Sequence, residues 1–429
     1  MNLIFSFFFY FIYSYFLLPL FVIVLIIISP FNKKVREGIA GRTRSMNDLK
    51  TLDMSTAKTV WIHCASHGEY EQAKPIINAL KRSQDGIKII LTFFSPSGYK
   101  RVNDENVDLK LYLPFDFPHS IKRLHRSIKP NILILAGYDV WPNAVKWTRK
   151  SGTPVVIISA RLRHNSHRLK PVILIFQRFV YSFIDEVLAV TKGDAERFKK
   201  FGIKENAIKV LGNTRYDRVT ERKGEPIMKE EQVSKFCASK RVMVMGSIWR
   251  SDLTKLMSSL LEILGQYPDL SLILAPHEPD DNFVNQLSDE LLLNEISSIR
   301  FSELDSTSED RRVLIVDNVG ILAGLYRFAD IAYLGGGFGP GVHNVMEPAV
   351  YDVPVLYGPK LKSSDTARYL SETGSGFIVE NGTEFKEIFD SLFTNEEFRL
   401  KAGKAAGQVI LDHMGATQRT AEIIQGFIR

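Results

Sequence analysis

Residues 331–359 read IAYLGGGFGPGVHNVMEPAVYDVPVLYGP, and this stretch decides the fold. It opens with the short apolar run 331–334, of the kind a fully buried strand uses. Five glycines from Gly335 to Gly341 then break the chain. The pattern that follows predicts a helix from His343 or Asn344 to Tyr351, and 354–357 is again strand-like. Strand, glycine turn, helix, strand is the repeating unit of a parallel α/β layer. A glycine loop entering a helix N-terminus is also a ready anion site. Glu347 stands one turn into that helix, where a carboxylate can accept both hydroxyls of a ribose. The geometry suits a nucleotide, with phosphate on the loop amides and ribose on the acid. It is neither a Walker loop, because no Gly-Lys-Ser/Thr follows, nor the G-x-G-x-x-G fingerprint of a first strand. Gly337, His343, Asn344 and Glu347 are therefore candidate nucleotide-site residues; the competing reading is a structural glycine turn with Glu347 solvated.

Working outward, short β-branched runs alternate with amphipathic stretches along the whole body. Strands are expected at 60–66, 87–94, 109–113, 131–136, 154–159, 186–191 and 208–212, then at 241–245, 270–275, 313–317, 331–334, 354–357 and 376–379. Helical patterns such as 71–82, 251–266 and 366–373 lie between them. Continuous apolar strands separated by helices predict parallel sheets covered on both faces. The most polar interruption is 218–240, with its EPIMKEEQ segment, which is read as an interdomain linker. The expected architecture is an anchor (1–30), a Rossmann-like domain (31–217), the linker, and a second Rossmann-like domain (241–429), which the resemblance named below makes the acceptor-binding and the nucleotide-sugar-binding domain respectively. Two doubly wound α/β domains should face a cleft, with ligands at the carboxyl ends of the strands. The C-terminal stretch 394–429 is expected to be helical and to fold back toward the first domain.

The N-terminal segment has no charged side chain from residue 1 to 32, and 3–29 is apolar almost throughout. A run of ~20 apolar residues spans a bilayer core. The basic start and small-x-small cleavage site of a signal peptide are both missing, so the segment reads as a retained transmembrane anchor. Lys33, Lys34, Arg36, Arg42 and Arg44 follow, against Glu37. By the positive-inside rule this flank is cytoplasmic, and it is placed to touch anionic headgroups. Tyr10, Tyr13 and Tyr15 are expected at the outer interface. The competing readings are a buried core helix and a solvated basic linker. The chain's 429 residues suffice for two or three domains, and its 45% hydrophobic and 24% charged composition excludes wholesale disorder. Cys64 and Cys237 are the only cysteines, which excludes a disulfide framework or a cysteine zinc cluster. A net charge of +7 suits an anionic partner; no nucleic-acid motif appears.

Other strand ends supply further candidates. Gly246 and Ser247 follow a strand and precede Trp249 and Arg250; the Gly-Ser turn suits a phosphate and Arg250 an anionic group. Pro276 and His277 close another strand and are placed to line a base. In the first half, Ser66-His67-Gly68 turns a strand into a helix that begins at Glu69. A carboxylate at that strand end can take a proton from an attacking hydroxyl, although Glu in a first helical turn also simply complements the dipole. His63 reads as a core residue. Asp139 lies in the strand-end segment Gly137-Tyr138-Asp139-Val140-Trp141-Pro142-Asn143, as a functional acid or an N-cap. Arg161 and Arg215 sit at strand ends and suit a carboxylate or phosphate.

The anchor, SHGE, the W-P-N segment, GNTRYD, GSIW and GVHNVMEPA together resemble the 3-deoxy-D-manno-octulosonic acid (Kdo) transferases, glycosyltransferase family 30, over nearly the whole chain. The resemblance implies the GT-B fold and an inverting, metal-independent transfer of Kdo from CMP-Kdo to a lipid A precursor, in lipopolysaccharide biosynthesis. It needs no cofactor, and it implies a single-pass protein of the cell inner membrane with cytoplasmic catalytic domains. The acid of the family's S-x-G-E string falls on Glu69 as catalytic base. The family's nucleotide-binding His-Asn and Glu fall on His343, Asn344 and Glu347. Ser66, Gly68, Asp139, Arg161 and Arg215 are assigned to acceptor or Kdo binding. Two departures stand out. Many members carry E-x-E before W-P-N, where this chain has Gly137 and Asp139. The arginine segment reads SARLRHNS, only loosely like the family's N-A-R-L-S. Two alternatives remain: a membrane-anchored GT-B transferase using a UDP-sugar, and a non-catalytic membrane-tethered nucleotide-binding protein.

Overall fold

In the computed structural model, which describes residues 2–49, 58–83, 86–305, 310–361 and 364–428, the apolar runs lie as strands of two parallel sheets. Met1 and Arg429, the ends of the expected anchor and of the C-terminal stretch, fall outside those residues. The chain divides into two compact units, one of Met1–Arg218 with Met414–Arg429 and one of Val219–His413.

The first unit holds β1 (Lys58–Cys64), β2 (Ile87–Phe93), β3 (Leu109–Tyr112), β4 (Ile132–Ala136), β5 (Val155–Ala160), β6 (Glu186–Ala189) and β7 (Ile208–Val210). They pair in the order β3-β2-β1-β4-β5-β6-β7, all parallel where adjacent. Side chains alternate across the sheet with period two. Val60, Ile62, Ile132 and Ile134 enter the layer that contains Ile76, Ile77 and Leu80 of the helix His67–Ser83. Trp61, Leu133 and Leu135 enter the opposite layer, with Ile121, Leu124 and Val145. Both faces are thus covered, which is why the strands lack a polar alternation. The C-terminal helix Ala416–Ile428 packs Ile424 and Ile428 into the first of these layers. Its start is fixed by the buried Asp217, whose carboxylate accepts from Gly415 N (2.6 Å), Thr417 N (2.8 Å) and Thr417 Oγ1 (2.8 Å). The C-terminal segment therefore joins the first unit rather than the second.

The second unit holds β8 (Arg241–Ile248), β9 (Leu270–Pro276), β10 (Ser298–Arg300), β11 (Val313–Ile315), β12 (Ile331–Leu334), β13 (Val355–Tyr357) and β14 (Gly376–Ile378), paired as β10-β11-β9-β8-β12-β13-β14. Thirteen of these fourteen strands coincide with expected runs; β10 does not. The segment 218–240 also differs from a linker. It carries the end of the helix Thr214–Lys223 and the helix Glu230–Cys237, whose Val233 and Phe236 are buried. From Val219 onward it belongs to the second unit.

One helical run, Phe7–Ile28, is 22 residues long and apolar enough to cross a membrane. At 1.5 Å per residue it is about 33 Å long, close to a hydrocarbon core. It is not a free rod. It loosens to π geometry over Tyr13–Leu17, and Tyr10, Ser14 and Leu18 are buried against the first unit. Tyr10 Oη donates to Asn143 Oδ1, Tyr13 Oη to Asp116 Oδ2 at 2.9 Å, and Asn143 Nδ2 to Ser14 Oγ at 3.1 Å. The Lys146 ammonium lies 3.3 Å from the centre of the Tyr10 ring. Tyr10 and Tyr13 are therefore not at an outer interface: their hydroxyls satisfy buried partners on the body, while Tyr15 stays exposed. Asp116 also caps the helix Pro142–Lys150 by accepting from Asn143 N and Ala144 N, each at 2.8 Å, and burial pushes its carboxyl up to about 7.

Candidate active site

In the first unit the site grows from the end of β1. The chain turns at Ala65-Ser66 and enters the helix His67–Ser83 with Glu69 in its first turn. The Glu69 carboxylate reaches back to accept from Ala65 N. Burial, then the negative charge of Asp139, push Glu69 up to about 7; backbone bonds from Ala65 and Ser66 and the Arg215 charge pull the other way. A carboxylate poised near neutrality is suited to general-base work. Gly137, at the end of β4, faces the Glu69 carboxyl. Its φ is +86°, and a Cβ there would lie 3.3 Å from Glu69 Oε1 and 3.4 Å from Cγ.

Arg215 enters from the helix Thr214–Lys223. Its backbone N–H is held by Asn213 Oδ1 (3.1 Å), and its Nη2 donates to Gly68 O (3.4 Å). With the Gln72 amide oriented so that its oxygen faces the guanidinium, Gln72 accepts from Nη2 at 2.9 Å and Nε at 3.0 Å. Burial, then the like charge of Arg161, lower the Arg215 pKa. Glu69, Gly68, Asp139, Arg161 and Arg215 are thus brought into one neighbourhood, to which Ser66 contributes a backbone N–H toward Glu69. Asp139 is half engaged, with Arg168 Nη2 3.5 Å from its Oδ1. His67 stacks on Tyr70 and lies 3.8 Å from Glu71. His63 is a core residue as expected: its Nδ1 meets Thr92 O (3.1 Å) and Oγ1 (3.0 Å), and burial lowers it to about 3.

The donor-side candidates lie in the second unit. After β8, Trp249 precedes the helix Arg250–Gln266. Trp249 Nε1 donates to His343 Nε2 at 2.8 Å, with the rings within 6° of parallel. His277, following β9, stacks on both, its centroid 4.5 Å from Trp249 and 4.3 Å from His343. Accepting at Nε2 requires a neutral His343; burial first, then His277, lower its pKa to about 4. Beside this slab, Asn344 Nδ2 donates to Glu347 Oε1 (3.2 Å), and Arg222 Nη1 lies 3.6 Å from the same oxygen. Asn344 Oδ1 is buried with no hydrogen-bond partner among the described residues. An aromatic slab, an orphaned amide oxygen and a fixed carboxylate can together hold a planar base and a polyhydroxylated ring.

The glycine loop differs from the sequence reading. Asp252, fully buried in the helix after Trp249, accepts from Gly336 N (2.8 Å), Phe338 N (3.3 Å), Trp249 N (2.9 Å) and Tyr333 Oη (3.2 Å). Gly335 N donates to Gly246 O, and Gly339 N and Gly341 N both donate to Gly336 O. Most loop amides are thus committed within the fold. The glycines serve close packing: a Cβ on Gly337 would fall 2.4 Å from Gly358, and one on Gly246 1.9 Å from Tyr326 Oη. The helix after the loop spans only Met346–Ala349. The expected first residue His343 is instead tied down, its N bonding Gly335 O, and Val342 N before it bonds Lys360 O. Ser247 takes a left-handed turn at φ +53°. Pro276 is buried at the end of β9. Arg250 turns toward the helix Asp281–Leu293, bonding Gln286 and covering the Phe283 ring at 4.3 Å. Among the described residues no group of three or more His, Cys, Asp or Glu side chains is placed to hold a metal ion. Asp252 was missed from the sequence; its only local signal is the acid three residues after the helix cap.

Comparison with known proteins adds the following. The family model described as 3-deoxy-D-manno-octulosonic-acid transferase (kdotransferase) matches residues 37–218. Curated relatives include 3-deoxy-D-manno-octulosonic acid transferases of Haemophilus influenzae, 27% identical over 86% of this chain and 87% of that protein, and of Aquifex aeolicus, 29% identical over 80% and 88%. Among solved structures, UDP-GlcNAc 2-epimerase from Neisseria meningitidis bound to UDP-GlcNAc superposes with a TM-score of 0.61 at 17% identity, covering 86% of this chain and all of that one. That likeness shows the two-unit GT-B fold.

Proposed function

The chain is a homologue of the 3-deoxy-D-manno-octulosonic acid (Kdo) transferases, which are glycosyltransferases, and from that kinship we propose that it moves Kdo from CMP-Kdo to a lipid A precursor with inversion at the anomeric carbon. The observation that carries the reading is Glu69: a carboxylate at a strand end, held by a backbone amide and raised to about 7. It takes the proton of the attacking acceptor hydroxyl, whose oxygen bonds to the anomeric carbon as the bond to the CMP phosphate breaks. One displacement from the face opposite the leaving group inverts the centre. Arg161 and Arg215 supply positive charge for the Kdo carboxylate or the acceptor's phosphate. The Trp249–His277–His343 slab takes the cytosine, and Asn344 and Glu347 take the ribose.

The exposed apolar face of the run Phe7–Ile28, with Lys33, Lys34 and Arg36 after it, holds the enzyme at the inner membrane, and its catalytic units lie on the cytoplasmic side. Confinement to the plane of a lipid acceptor raises the acceptor's effective concentration. The test is incubation of the purified protein with a lipid A precursor and either CMP-Kdo or UDP-sugars, followed by mass analysis of the lipid. Mass gain from CMP-Kdo alone supports the reading; gain from a UDP-sugar alone overturns it in favour of a different transferase.

A further inference from the structure

Where the membrane helix meets the body, the first unit contains a cavity of about 220 Å³. Its walls are mostly apolar: Phe21 and Leu25 from the membrane helix, Ile39 from the following helix Lys33–Asp48, and Phe94 and Phe115 from strand-end loops. The apolar part of such a wall is better covered by hydrocarbon than by water. Two cations line the same space. Lys34 is exposed at its edge. Arg42, which the sequence reads as part of a basic flank touching headgroups, is instead buried, 7% exposed. Its guanidinium lies 4.5 Å from the Phe94 ring centre and 4.8 Å from that of Phe115, and donates to Gly38 O (2.9 Å) and Phe94 O (2.8 Å). Arg42 Nε has no hydrogen-bond partner, and no carboxylate pairs with Arg42 among the described residues. A buried cation without a counter-charge is costly unless something anionic completes it.

We propose that this cavity receives one acyl chain of the phosphorylated lipid acceptor, with an anionic group of the same lipid on Arg42 and Lys34. The proposal rests on the transferase reading above and adds where that acceptor's hydrocarbon and phosphate are held. Three features favour the acceptor as occupant. The cavity is walled by the membrane helix, so a chain enters it sideways from lipid. Its cations match a phosphate in sign. And its Phe94-Ser95-Pro96 wall is tied to the catalytic turn, since Ser95 N donates to Ala65 O (3.0 Å), the residue whose own N–H holds Glu69. A lipid seated here is thereby indexed against the base.

The test uses the full-length protein in neutral detergent with two acceptors: the acylated, phosphorylated glucosamine disaccharide and its deacylated counterpart. The wild type should prefer the acylated acceptor in kcat/KM, and Ile39→Trp, which fills the cavity, should lower that preference at least tenfold, through KM. Leu25→Trp is the second variant in case the first folds poorly. No preference in the wild type, or equal effects on both acceptors, overturns the proposal. A binding arm separates its failure from failure of transfer. The same disaccharide bearing a photoreactive acyl chain should crosslink to peptides covering 21–25 and 38–42, whether or not Kdo is transferred. Crosslinking elsewhere, or crosslinking there by a photoreactive acidic phospholipid that excess disaccharide fails to displace, overturns it.

Discussion

Gly137 gives Glu69 its space: a Cβ at 137 would stand 3.3 Å from Glu69 Oε1, and the glycine's φ of +86° lies where side chains are strained. The space beside this strand end is taken by the Glu69 carboxyl rather than by a side chain at 137. Gly137→Ala should therefore cost about 1–2 kcal/mol in stability from backbone strain alone, and lower kcat/KM by tenfold or more by displacing Glu69. Chemical denaturation and initial rates read the two effects separately. Gly137→Glu should be worse, because it adds a negative charge beside a carboxylate already raised by Asp139. Wild-type activity in either variant would show that Glu69 does not need this space.

The pH profile should report Glu69 directly. Its pKa is raised from 4.5 to about 7 by burial and then by Asp139, and a base acts only when ionised. kcat/KM should accordingly fall tenfold per unit as pH drops below about 7. Asp139→Asn removes the second cause and should move that limb to lower pH; an unmoved limb would assign it to another group.

Stability carries the opposite sign. A carboxyl with a raised folded-state pKa favours folding below its unfolded value and loses that contribution as pH rises through 4.5 to 7. Glu69→Gln has no charge to bury. It should be more stable than the wild type at pH 8 by about 1–3 kcal/mol, with the gap closing toward pH 4. Its transfer rate should fall by a factor of about 10²–10⁴ while CMP-Kdo still binds. Urea titrations at the two pH values, with isothermal titration of the donor, read both.

How far the sequence reaches can be followed residue by residue. β4 was legible because ILILA is apolar at every position, as a strand buried on both faces must be. β10 was not, since Ser298–Arg300 is polar and only half buried at the sheet edge. Glu69 was legible because strand, turn and helix are contiguous around it. Arg42 misread as a lipid-facing flank because its burial depends on Phe94 and Phe115, far along the chain. The same limit hid the docking of Tyr13 on Asp116.

The donor slab gives a separable prediction. Trp249→Phe keeps an aromatic face against His277 but removes the Nε1–H that fixes His343. KM for CMP-Kdo should rise about five- to tenfold, the worth of roughly one hydrogen bond, with kcat little changed. If kcat falls and KM does not, the slab serves the transition state rather than donor binding.

Asp252 decides what the glycine loop is for. Its two oxygens take Gly336 N, Phe338 N and Trp249 N together with the Tyr333 hydroxyl, so one buried carboxylate ties the loop after β12 to the helix after β8. Were the loop amides the phosphate site, Asp252 would compete with the ligand for them, and Asp252→Asn, which weakens those bonds, would tighten donor binding. If they are scaffolding, the amide keeps only part of the acceptor capacity and turns its –NH2 toward donors. The loop then loosens, and His343 and Asn344, which follow it, lose their positions. The second outcome is expected: a loss of about 2–4 kcal/mol in stability from buried donors left poorly matched, and weaker CMP-Kdo binding. Denaturation and donor titration on the same variant distinguish the two, because tighter binding and weaker binding are opposite signs of one measurement.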